Sequence, residues 1–119
     1  MPTQSDHETQ WYLNHQLLAQ LERQNRFYDW MITVAFYTAL HSLERYLARR
    51  NKHPHDHLDR KNTLLVYAPQ LGQQTLRDYL DMYSMSIAAR YECASPTQAD
   101  VQEQRARLAR IDATVGPLI

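Results

Sequence analysis

A chain of 119 residues with 44% hydrophobic and 22% charged residues has the length for one domain around a single core, and is too apolar to remain disordered. Thirteen Lys and Arg against thirteen Asp and Glu give a formal net charge of zero, which excludes a global field drawing the protein to DNA or to an anionic membrane. Two glycines, Gly72 and Gly116, are too few for turn-rich β architecture, which leaves an all-α fold.

A first helix is expected from about Asp6, serving as its cap, to Gln24, with Trp11, His15, Leu18 and Glu22 on one line and Leu13, Leu17 and Leu21 beside it. The second, from Phe27 to Arg49 or Arg50, carries two stripes. Ile32, Phe36, Leu40, Leu43 and Leu47 form one; Trp30, Val34, Tyr37, His41, Glu44 and Ala48 form the other. A helix with two such stripes belongs at the centre of a bundle. Pro54, which lacks an amide hydrogen, ends it within Asn51–Asp56. Asp56 then caps a short third helix that keeps Leu58, Leu64 and Leu65 in apolar contact up to Pro69. Gly72 opens a fourth, about Gln73 to Glu92, with Leu76, Leu80, Tyr83, Ile87 and Tyr91 toward the core. Ser95-Pro96 breaks the chain, and Thr97 caps a polar last helix, Gln98 to Val115, whose thin stripe is Val101, Leu108, Ile111 and Val115. The whole reads as one domain, residues 1–119, an antiparallel up-and-down bundle of four main helices plus a short one.

The longest apolar stretch, Trp30 to Leu43, is interrupted by Thr33, Thr38, His41 and Ser42 and falls short of the roughly 20 residues of a bilayer span, so no membrane partner is expected. Cys93 has no intrachain partner, and the start Met-Pro-Thr-Gln-Ser-Asp-His-Glu has no basic-then-apolar leader; the cytoplasm is the expected location.

Three constellations can carry chemistry. Tyr37, His41 and Glu44 lie at helical spacing, where a carboxylate can hold a histidine in one tautomer for acid–base work or the three can form a satisfied polar layer of the core. His53, His55 and His57 alternate around Pro54 and Asp56; a structural zinc site wants four ligands, so a metal-binding bundle is the third-ranked class and no metal is expected. On the third helix His57 and Arg60 share a face that can bind an anion. Arg49-Arg50 and Arg90-Tyr91 close the second and fourth helices, where the macrodipole favours cations; Arg90 with Tyr83 and Tyr91 can also present guanidinium and ring faces to a nucleotide base. No phosphate-binding glycine loop or DNA-reading motif is present.

Ala35-Phe36-Tyr37-Thr38-Ala39-Leu40-His41, then His53-Pro54-His55-Asp56-His57-Leu58-Asp59-Arg60, then Ala88-Ala89-Arg90-Tyr91 together resemble the HEPN superfamily of helical nucleotide-binding and ribonuclease domains, over about two thirds of the chain. The resemblance implies a homodimer that binds or cleaves RNA or nucleotides, encoded beside a nucleotidyltransferase or acting in a toxin–antitoxin or antiphage defence system. It also implies RNA cleavage without metal or cofactor. Active members carry Arg, a polar residue, three further residues and His, a spacing met by Arg50-Asn51-Lys52-His53-Pro54-His55. On that match Arg50 stabilises the charged phosphorane and His55 is the general acid or base, with His41 and Arg60 the alternative pair in the groove between the second and third helices. Pro54 is a departure, since it puts His55 in a loop. Tyr37, Glu44, His57, Arg90 and Tyr91 are the candidate binding residues. A noncatalytic module that pairs with a neighbouring protein is the alternative. Met31, Met82 and Met85 are the adaptable side chains expected at a dimer interface.

Overall fold

The computed structural model describes the whole chain, Met1–Ile119, and every regular element in it is helical. Helix α1 spans Gln4–Gln24. Thr3 caps it: the Thr3 hydroxyl accepts from the Asp6 amide at 3.1 Å while the Asp6 carboxylate accepts from the Thr3 amide at 2.8 Å. Asp6 is thus the third residue of a capping box rather than the cap itself. Asn25, left-handed at φ 49°, closes the helix.

Helix α2, Tyr28–Arg49, is the central element, with 13 of its 22 residues buried and its main packing against three other helices. Those are α1, α5 (Gln73–Tyr91) and α6 (Gln98–Val115). Between α2 and α5 run two short pieces, α3 (His57–Val66) and α4 (Ala68–Leu71). Asp56 caps α3 by accepting from the Asp59 amide at 2.8 Å. The expected single helix to Pro69 is divided because Pro69 has no amide to donate and sits instead in the first turn of α4, where none is needed. Gly72, at φ 91°, makes the turn into α5 without the penalty a side chain would bring. Thr97 and Asp100 repeat the capping box at the start of α6, and a 3₁₀ turn, Gly116–Leu118, follows it.

The core gathers Leu18 of α1, Ile32, Leu43, Tyr46 and Leu47 of α2, Tyr79 and Met82 of α5, and Ile111 and Val115 of α6, all fully buried. The thin stripe of α6 is buried throughout. On α5 the inward face differs from the expected line: Thr75, Leu76, Asp78, Tyr79, Met82 and Ser86 are buried, Leu80, Tyr83 and Ile87 flank them, and Tyr91 is exposed. Burial of Asp78 explains the rotation. Arg107 and Arg110 of α6 hold its carboxylate at 2.8–2.9 Å, and the Gln74 amide donates a further bond. Helix α1 packs through Leu18 and leaves Leu13 and Leu17 nearly half exposed, while Trp30 on α2 is 56% exposed rather than within its apolar stripe. Met31 and Met82 are core residues and Met85 packs against the core, so the two buried ones are closed to any interface role. No helix is long and apolar enough to cross a membrane.

Candidate acid–base cleft and a second aromatic cleft

A cleft of about 190 Å³ opens where the start of α1, the second half of α2, the loop at His53-Pro54 and α3 converge. His7 of α1 and His41 of α2 meet there with their Nδ1 atoms 3.0 Å apart. A neutral imidazole has one donor and one acceptor nitrogen, so this contact requires the two rings to be in opposite tautomers, or one of them to carry a proton. His7 Nε2 is 3.9 Å from Glu44, whose carboxylate accepts from Arg60 Nε at 2.6 Å. The pair is deeply placed, with the Glu44 and Arg60 side chains 6% and 13% exposed.

Arg60 NH1 donates to the Tyr79 hydroxyl at 3.4 Å, and that hydroxyl lies 3.2 Å from Nδ1 of His57, to which it can donate. His57 in turn stacks on Tyr83, the rings 5° from parallel and their centroids 3.4 Å apart. A continuous polar chain therefore runs from the cleft into the protein between α3 and α5.

The electrostatics disfavour the charged form of His41, His7 and His57. Burial, reinforced by the neighbouring His7 and Arg60, pushes His41 down to about 4. Burial also lowers His7, against the opposing pull of Glu44 and Asp6. His57 is lowered by burial and by Arg60 and Lys61. For Arg60, burial disfavours the charge, yet its bonds to Glu44 and Tyr79 more than offset this and raise its pKa. The cleft thus places neutral rings, each able to take a proton, beside one permanent cation.

Of the residues singled out by sequence, His41, Glu44 and Arg60 come together, and His57 joins them through Tyr79. Tyr37 does not: its hydroxyl accepts from Arg90 NH1 at 2.6 Å. Arg50 and His55 are joined by no hydrogen bond or ion pair. Arg50 donates to the Tyr46 carbonyl and to Gln70, both at 3.0 Å, and lies over the Tyr46 ring. His55 is exposed in the loop, its amide donating to Asp59 at 2.9 Å. No three His, Cys, Asp or Glu side chains gather in metal-binding geometry.

Sequence reasoning missed His7 and Tyr79. His7 lies one helical step before the Trp11–His15 line, the one feature of the sequence from which it could have been found. That line ends on Asp112 of α6, which accepts from Trp11 Nε1 at 3.1 Å and Ser42 Oγ at 2.8 Å and lies 2.9 Å from His15 Nε2. Tyr79 was outside the face expected to turn inward.

A second cleft, about 300 Å³, lies between the beginning of α2 and the end of α5, lined by Asp29, Trp30, Thr33, Ala89, Arg90 and Tyr91. Compared with known proteins, the chain matches no family model, no curated protein and no solved structure.

Proposed function

We propose that this chain is a HEPN-like helical domain that binds and cleaves RNA or nucleotides, in a toxin–antitoxin or antiphage defence setting, with its chemistry in the cleft of His7, His41, Glu44 and Arg60. The observation that carries the reading is the 3.0 Å contact between two uncharged histidines beside a fixed arginine. One ring takes the proton of a ribose 2′-hydroxyl as that oxygen attacks phosphorus. The base ring then passes its Nδ1 proton across the contact to the other ring, which, so charged, gives the proton on its far nitrogen to the departing 5′-oxygen; a 2′,3′-cyclic phosphate is left and the two rings end with exchanged tautomers. Arg60, which keeps N–H groups beyond those given to Glu44 and Tyr79, faces the charge that develops on the phosphorane.

The bundle topology belongs to the same proposal: α1, α2, α5 and α6 run up and down, with α3 and α4 as the short pieces. In its support, His7 early in α1 meets His41 late in α2, and Tyr37 meets Arg90 near the end of α5, while Leu43 lies with Thr75 and Leu76 at its start.

Incubation of the purified protein with cellular RNA in the presence of a chelator tests the activity. Cleavage with 2′,3′-cyclic phosphate ends is expected, and His41→Ala and His7→Ala should each slow it by about 100-fold or more. Loss of cleavage in Arg50→Ala or His55→Ala, with His41→Ala silent, would place the chemistry at the α2–α3 loop instead. The noncatalytic alternative, a module that pairs with a neighbouring antitoxin, a nucleotidyltransferase or a second copy, draws on the apolar side chains that α3 leaves exposed, Leu58, Leu65 and Val66. Absence of cleavage under every condition would favour it.

A further inference from the structure

The second cleft holds two charged groups that do not neutralise each other. Arg90 is held flat by three hydrogen bonds, from Nε to the Ser86 carbonyl at 3.2 Å, from NH1 to Tyr37 at 2.6 Å and from NH2 to the Ser86 hydroxyl at 3.3 Å. Its guanidinium carbon sits 5.3 Å from the Tyr37 ring centre and 5.0 Å from that of Tyr91. Two of its five N–H groups remain, and no carboxylate pairs with it, whereas Arg60, Arg105, Arg107 and Arg110 all have acidic partners. The Asp29 carboxylate likewise accepts no bond from the chain; only its backbone carbonyl does, from Thr33 at 2.9 Å. Trp30 and Tyr91 stand 56% and 71% exposed beside them.

We propose that this cleft binds a guanine base. The two aromatic side chains offer faces to a flat ring, and a base lodged among them meets a donor on one side and an acceptor on the other. Guanine carries the matching edges: O6 and N7 accept from the arginine, while N1–H and the 2-amino group donate to the carboxylate. Adenine turns the bare N1 acceptor toward a carboxylate, and uracil and cytosine lack the adjacent N–H and amino pair. A volume near 300 Å³ is at the lower end of small-ligand sites. Along α2 the lining residues Thr33 and Trp30 stand eight and eleven residues before His41, about 12–17 Å of helical rise, so an RNA strand of a few nucleotides is the ligand that would reach both clefts. The inference gives the nucleic-acid reading a base preference and rests on that reading for its biological meaning, but its binding step needs none of the cleavage chemistry.

Calorimetric titration with GMP, AMP, CMP and UMP, and anisotropy titration of labelled uridine hexamers containing one G or one A, all with chelator present, test it. Affinity for the guanine ligand is expected to exceed that for its adenine counterpart by about 10-fold or more. Tight binding of GMP identifies the free nucleotide as the source, and binding of the G hexamer alone identifies an RNA chain. Asp29→Asn should erase the preference, Arg90→Ala and Trp30→Ala should weaken binding about 10-fold, and Trp30→Phe should restore most of it. His41→Ala should end cleavage yet leave guanine affinity within about twofold, which separates failure of the pocket from failure of the chemistry. Equal affinity for all four bases, or an unchanged preference in Asp29→Asn, overturns the proposal. So does the absence of nucleotide and oligonucleotide binding, which would leave the exposed Trp, Tyr and Arg as a protein-contact surface.

Discussion

Acidification should weaken this fold in a window set by His41. Its ring is held down to about 4 by burial, His7 and Arg60, whereas in the unfolded chain it returns to about 6.5. Between those values the unfolded state binds more protons than the folded one, so stability rises with pH across the window. The contribution is complete above about pH 6.5, is lost as pH falls to about 4, and is flat below. A displacement of that size corresponds to at most about 3 kcal/mol, and solvent access to the partly exposed ring reduces it to about 1–2 kcal/mol. Urea unfolding of the wild type and of His41→Gln, repeated from pH 7.5 to 4.5, measures it. At pH 7.5 the variant should be less stable by about 1 kcal/mol, the value of one hydrogen bond. By pH 4.5 the difference should move by about 1–2 kcal/mol in the variant's favour, closing the deficit or reversing it by up to about 1 kcal/mol, because the variant cannot take the proton that destabilises the wild type. His7 and His57, also lowered, add slope to both proteins and largely cancel in the comparison. Parallel profiles across the window would refute the burial of a neutral His7–His41 pair.

Breaking the Glu44–Arg60 pair by Glu44→Leu should cost about 3–5 kcal/mol and leave Arg60 charged and unmatched, while the double variant Glu44→Leu with Arg60→Met should recover much of that; chemical denaturation of the wild type, the two single variants and the double measures the coupling. Asp112→Ala removes one acceptor that ties α1, α2 and α6 together and should cost about 2–3 kcal/mol, read as a lower thermal midpoint. Light scattering at high micromolar concentration should give twice the monomer mass if the proposed homodimer forms; Leu58→Glu with Val66→Glu should then return it to monomer, whereas a wild-type monomer removes the dimer from the proposal.

The helices themselves were legible from local chemistry. Thr97 before a polar helix, Asp56 before α3, Gly72 at a positive φ and Pro54 in the loop act within a few residues, so each boundary is encoded where it occurs. The centrality of α2 followed from its two stripes. Tertiary structure alone decided which face of α5 turns inward: Asp78 is buried only because Arg107 and Arg110 reach it across roughly thirty residues, and its burial brings Tyr79 to Arg60 and His57. It also decided the partner of His41. On α2 that ring is one turn from Tyr37 and three residues from Glu44, yet its own contact is His7, 34 residues away on another helix, a pairing that no local spacing encodes. Arg50 and His55 show the converse. Five residues apart in sequence, they share no hydrogen bond or ion pair: the Tyr46 ring and Gln70 engage the arginine while the loop leaves the histidine exposed.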